Sequence, residues 1–223
     1  MARRTADDFV DHARQALGGP DTGLLSDARI LSFVNRGQQR VAVMRTHPEL
    51  STTTTITTSS GTAAYELTVT NVGRILGVID TTTDVELTEI NFYEYRLWTQ
   101  GNPSSGKPDY FFPNGVGSNS RVQLTLDPTP DATLSLTVYY QKIPTDLVQS
   151  PTATSSVLNE AFDECIYSYA VAQGFMTLQN PQMYEAWMGV FRENYFLADR
   201  QTARASDIRT HLRSPIGEAL GGA

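Results

Sequence analysis

Ser51-Thr-Thr-Thr-Thr-Ile56-Thr-Thr58 and Thr133-Leu-Ser-Leu-Thr-Val-Tyr-Tyr140 bracket the part of the chain that decides the fold. Both runs are rich in β-branched and aromatic residues, which suit a pleated strand. Between them Tyr65, Leu67 and Val69 alternate with polar neighbours, as a half-buried strand requires. Val72–Asp80 and Asp84–Ile90 read as further strands, with Tyr110–Phe112 as a short aromatic one. Residues 91–100 are ambiguous and fit a short helix lying on the sheet. Arg121–Asp127 and Thr133–Lys142 read as a hairpin turned by Pro128-Thr-Pro130-Asp. Two prolines there remove amide donors and fix φ, so the strands have to end.

Outward from this core the apolar period becomes helical on both sides. Thr5 caps a first helix, with Asp7 and Asp8 in the first turn where the dipole favours them. Gly18-Gly19-Pro20 stops it. A second helix starts near Ser26-Asp27, buries Ile30, Val34, Val41 and Met44, and ends before His47-Pro48. Beyond the strands, a cap at Ser155 or Ser156 opens a third helix with Leu158, Phe162, Cys165, Tyr169, Ala172 and Met176 as its apolar seam. Asn180-Pro181 stops it and starts a fourth, because Asn caps and Pro fits the first helical position. Trp187, Met188, Phe191, Tyr195 and Ala198 share one side of that helix, and the short joint makes an antiparallel hairpin.

The expected fold is therefore α+β. Residues 1–50 and 151–205 form a four-helix-bundle-like domain, and 51–150 form an inserted antiparallel β-sandwich or barrel-like module. Residues 206–223 form a flexible C-terminal tail, since the apolar pattern fades beyond Ala205.

Composition narrows the function classes. The chain has 223 residues and a net charge of −7. Residues 51–150 hold five basic and ten acidic side chains. Such a chain is a poor candidate for tight duplex binding, which relies on basic phosphate contacts. Arg200, Arg204, Arg209 and Arg213 make the end of the chain locally basic. No apolar run is long enough to cross a bilayer, and Met1-Ala-Arg-Arg lacks the apolar stretch of a secretory signal. A single cysteine, Cys165, excludes an intrachain disulfide.

Motifs for chemistry are sparse. His12, His47 and His211 are dispersed, so no metal site and no cofactor is expected. Cys165 sits on a helical seam and reads as a small buried residue rather than a nucleophile. Asp80, Asp84 and Glu86 are close in sequence, and Asp84 and Glu86 should share a strand face, which leaves a carboxylate hydrolase as a minor alternative. Phe92, Tyr93, Tyr95, Trp98, Tyr110, Phe111 and Phe112 suit either a platform for sugars or bases or the closure of one end of the β core; with no basic groove beside them, closure is the favoured reading.

The order of pieces resembles the head-to-tail adaptor, or head-completion, proteins of tailed phages. Leu25-Ser-Asp-Ala-Arg-Ile-Leu-Ser-Phe-Val-Asn35 is similar to that family's second helix, and Tyr65-Glu-Leu67 with Val72–Val78 to its early strand pair. Gly106–Tyr110, Leu124–Pro130 and Val138–Leu147 follow in the family's usual sequence. No Pro follows Leu67, where such proteins often have one. The resemblance implies a structural protein without catalytic activity, sited at the virion head–tail junction and assembled in the host cytoplasm. It also implies a homo-oligomeric, dodecameric ring under the portal protein, with a tail or nozzle protein on the other side. Genomic DNA would pass its channel without sequence-specific binding, and no membrane is involved. The C-terminal tail would dock on the portal, which makes Arg204, Ile208, Arg209, Leu212, Arg213 and Ile216 the candidate portal contacts. A rival reading is a virion or surface protein whose β domain binds a glycan or other ligand.

Overall fold

A computed structural model describes residues 3–19, 23–99, 104–116 and 121–213. It divides the chain into two compact units, residues 1–45 with 144–223, and residues 46–143.

The first unit is helical. Helix α1 spans Ala6–Ala16, α2 spans Asp27–Met44, and the C-terminal pair are α4, Asp163–Thr177, and α5, Pro181–Arg213. Three N-caps lie where short-range chemistry placed them, but the cap expected at Ser155 or Ser156 does not: Phe162 holds the N-cap position of α4 and makes no side-chain capping bond. The Asp8 amide donates to the Thr5 hydroxyl at 3.3 Å, and the Thr5 amide donates back to the Asp8 carboxylate at 2.8 Å, a capping box. Ser26 accepts from the Arg29 amide, and Asn180 from the Met183 amide at 3.1 Å. Helix α4 begins later than the apolar seam suggests. Leu158 and Phe162 precede it, in a segment that Asn159 caps into a 3₁₀ turn over Glu160–Phe162. Both are fully buried all the same. Burial set their spacing, and burial alone does not distinguish a helix from the ordered chain before it.

Helix α4 is the centre of this unit and packs against α1, α2 and α5. Its contact with α2 is close because Gly37 has no side chain: a Cβ there would lie 3.0 Å from the Ile166 carbonyl oxygen. Arg45, from the end of α2, pairs with Asp199 of α5 and donates to the Thr202 hydroxyl at 2.9 Å. Phe162, fully buried, receives the Arg45 guanidinium over its ring face at 5.7 Å and packs on Tyr195.

Asp163, the first residue of α4, is buried. Desolvation pushes its carboxyl up to about 6, against the Arg4 amide and the Arg4 and Arg3 charges, which pull it down. Its folded value therefore lies above the unfolded 3.8, so this group favours the folded state in acid and disfavours it as pH rises through about 4 to 6. Asp163→Asn should raise stability at neutral pH, by at most about 3 kcal/mol for a shift of this size, and leave it unchanged near pH 3.5. Paired chemical denaturations at the two pH values read the difference.

The second unit is built on one curled seven-stranded sheet. Its strands are β1 (Ser51–Thr57), β2 (Ala64–Glu66), β3 (Val72–Asp80), β4 (Val85–Glu89), β6 (Tyr110–Val116), β7 (Val122–Asp127) and β9 (Ser135–Lys142), in the order β1-β9-β3-β4-β6-β7-β2. Short strands β5 (Ser105–Gly106) and β8 (Thr129–Pro130) form a separate parallel pair. Leu67, Val78, Leu124, Leu126, Leu136 and Val138 form its core.

Two expectations are corrected here. The sheet is mixed, not antiparallel, because α3 (Phe92–Thr99) carries the chain from β4 to a parallel β6. And β7 and β9 are not a hairpin. Thr129 and Pro130 are taken up by β8 in its pairing with β5, and β9 goes between β1 and β3. Helix α3 occupies the ambiguous 91–100 stretch; Tyr95 packs on Phe112 at 4.5 Å between ring centroids, with Phe92 beside it.

Candidate partner-contact helix

Helix α5 carries most of the residues singled out at the C-terminus. Its first turn is set by Asn180 and Pro181, after Gln179 turns the chain in the left-handed region at φ 56°. Its inner face meets α4. Trp187 packs edge-on against Tyr167 at 5.8 Å, Phe191 against Tyr169 at 5.6 Å, and Asn194 donates to the Ser168 hydroxyl at 3.0 Å. Arg45 then anchors Asp199 and Thr202. From there the helix backbone runs on to Arg213. At 1.5 Å per residue α5 is about 50 Å long and α4 about 22 Å.

The structure therefore brings Arg204, Ile208, Arg209, Leu212 and Arg213 onto one continuous helix, where the sequence pattern ended the helix at Ala205. The reason is local. The loss of a core-facing stripe removes packing, but residues 206–213 contain no Gly or Pro to stop a helix. The side chains at 204–213 lie outside the described residues, and so does Ile216 entirely. Helical spacing alone sets positions 204, 208 and 212 along one stripe, with 209 and 213 round from it.

The three carboxylates near Asp80 do not form a cluster. Asp80 is 1% exposed and committed to its own turn. It accepts from the Thr82 amide at 2.9 Å and the Thr83 hydroxyl at 2.7 Å, and Lys107 Nζ lies 3.1 Å away. Burial raises its carboxyl and these bonds outweigh it, bringing it down to about 2. Asp84 is in the turn at φ 54°, not on the strand, and Glu86 is exposed on β4. Among the described residues no group of three His, Cys, Asp or Glu side chains is placed to hold a metal. Asp80 is thus a staple that ties the β3–β4 turn to Lys107. Its folded value lies below 3.8, so its contribution is present above that pH and is lost as pH falls towards about 2. Asp80→Asn should lower stability at neutral pH by about 2 kcal/mol and flatten the acid limb of the stability profile, measured by urea titration from pH 2 to 7.

Cys165 is buried, and desolvation pushes its thiol up to about 12, which keeps it protonated and unreactive. The aromatics divide. Phe111 and Phe112 are buried in the sheet, whereas Tyr93 is 78% exposed and Phe92 half-exposed on α3. Trp98 has no described side chain. No described helix is long and apolar enough to cross a membrane.

The chain thus combines a helical unit, a β unit inserted between its halves in sequence and a long terminal helix. The family model described as SU10 adaptor protein matches residues 4–215, nearly the whole chain, and the chain belongs to that family. No curated protein matches it. Membership implies contact with phage head and tail proteins, at the head–tail junction of the virion.

Proposed function

We propose that the protein forms a ring beneath the portal, connecting capsid to tail around a channel for DNA, and that its C-terminal segment anchors the ring. In this reading α1, α2, α4 and α5 act as a bundle whose copies pack side by side. Residues 204–216 dock on the portal and the β unit faces the tail or nozzle protein. The observation that carries the reading is α5, whose backbone continues as a helix to Arg213 beyond its anchor at Asp199 and Thr202. Its last stretch pairs basic residues with Ile208 and Leu212, a composition suited to ordering against a partner. Acidic bias in the β unit, five basic against ten acidic residues over 51–150, suits a rim along which DNA passes without binding.

The proposal is tested by mixing the protein with its portal and imaging the product by electron microscopy. A closed ring of density below the portal, dodecameric in the expected form, supports it. A glycan array separates the rival: a connector gives no hits, whereas a ligand-binding β domain does.

A further inference from the structure

The two edges of the seven-stranded sheet are matched to one another. Strands β1 and β2 stand at opposite ends of its order, and the sheet is curled. Five of the six steps between neighbouring strands are antiparallel and one, β4 to β6, is parallel, so β1 and β2 run in opposite directions. Only residues 58–63 separate them in sequence. Both ends serve one core: Ile56 is buried with Leu67, and Tyr65 and Val69 pack against that cluster. The edges are also within side-chain reach. The Thr54 and Thr68 hydroxyls are 3.4 Å apart, and the Tyr65 hydroxyl accepts from the Ser59 amide at 2.9 Å. Two Thr side chains add about 5 Å to the first separation, so the backbones there lie within about 8 Å of each other, against about 4.8 Å for paired strands.

The backbone groups along the two edges match as well. The Thr58 amide donates to the Leu134 carbonyl at 2.9 Å, and in an antiparallel ladder such pairs recur at every second residue. Thr52, Thr54 and Ile56 therefore turn their amides and carbonyls to β9, and Thr53, Thr55 and Thr57 turn theirs outward. On the other edge the Leu67 amide donates to the Val122 carbonyl, and the Leu126 amide to the Ala63 carbonyl. Positions 63, 65 and 67 thus face β7, and 64, 66 and 68 face outward. Thr53, Thr55, Thr57, Ala64 and Thr68 are all exposed, on the outer face of the sheet, and residues opposite one another in a ladder have to share a face. Strand β1 also lacks what blunts a permanent edge: it has no Lys, no Pro and no break in register over Ser51–Thr57. We propose that β1 and β2 zip together as a hairpin and close the curled sheet into a seven-stranded barrel, with Thr57 opposite Ala64 and Thr53 opposite Thr68. Closing needs a shift of about 3 Å and breaks no existing ladder. Parting the seam bares two strand edges at once and leaves every other strand pair in place.

The test is amide hydrogen exchange and cross-strand NOE measurement by NMR on the full chain and on Thr55→Pro. Proline at 55 removes an amide that faces the seam and none that faces β9. In the wild type the amides of Thr53, Thr55, Thr57, Ala64 and Thr68 should exchange at least about tenfold more slowly than unstructured amides. The Hα atoms of Ile56 and Tyr65, a close non-hydrogen-bonded pair in this register, should give a cross-strand NOE. Thr55→Pro should speed exchange at Thr53, Thr57, Ala64 and Thr68 by at least about tenfold and leave Thr52, Thr54 and Ile56 as protected as before. The wild-type measurements decide the question even where the variant fails to fold. Unprotected seam amides in the wild type, no Ile56–Tyr65 NOE, protection that rises with protein concentration, or protection unchanged in a folded Thr55→Pro would each overturn the proposal.

Discussion

Phe162→Ala should destabilise the helical unit by about 3–5 kcal/mol, the usual range for a buried Phe truncated to Ala. Phe162 is fully buried and holds together parts of the chain that are far apart in sequence. Its ring packs on Tyr195 of α5, with centroids 5.9 Å apart, and carries the Arg45 guanidinium from α2 on its face. Truncation leaves a cavity between these elements and removes the surface that positions Arg45, which in turn holds Asp199 and Thr202. A domain's whole stability is about 5–15 kcal/mol, so the variant should lie near the edge of folding. Thermal or urea denaturation measures it. A loss under about 1 kcal/mol would mean that the site collapses around the missing ring.

Gly37→Val should follow closely, at about 3 kcal/mol. A Cβ alone would lie 3.0 Å from the Ile166 carbonyl oxygen and 3.2 Å from Tyr169 Cδ1, and valine adds two methyl groups beyond that already tight position. The Ile166 oxygen is backbone in the middle of α4 and has nowhere to move. Helix α2 must then back away from α4, which loosens contacts on both sides of the seam. Gly37→Ala should be far milder, because the gain in helix propensity, about 1 kcal/mol, offsets part of a shift of a few tenths of an ångström. The ranking Gly, Ala, Val in melting temperature distinguishes close packing from backbone conformation. A conformational cause would make Ala as harmful as Val, but Gly37 sits in ordinary helix.

Short-range chemistry was legible in the sequence, and long-range pairing was not. Thr5, Ser26 and Asn180 cap helices where the sequence placed them, because a cap needs only the next three residues. The β3 strand at Val72–Asp80 was legible for a similar reason, its apolar residues being buried in the sheet core. The partner of β9 was not legible. Proximity in sequence favours β7, but Thr129 and Pro130 pair with β5 instead, and nothing local specifies that. The same limit misplaced Leu158 and Phe162, whose burial looks like helical spacing although they precede α4. At the C-terminus the basic residues were visible in the sequence, but the extent of α5 was not, because its last turns have no core-facing stripe. Of the carboxylates, the sequence showed their closeness but not that Asp80 turns inward to Thr82, Thr83 and Lys107 while Glu86 stays exposed.

The most direct test of the central claim compares full-length protein with a chain lacking residues 206–223 for binding to the portal. The cut leaves the described anchor of α5 at Asp199 and Thr202 intact, so the shortened chain should fold. The account predicts a stable complex with the full chain and none with the shortened one, measured by co-sedimentation at equal concentrations. A shortened chain that binds the portal as well as the full-length protein would contradict it.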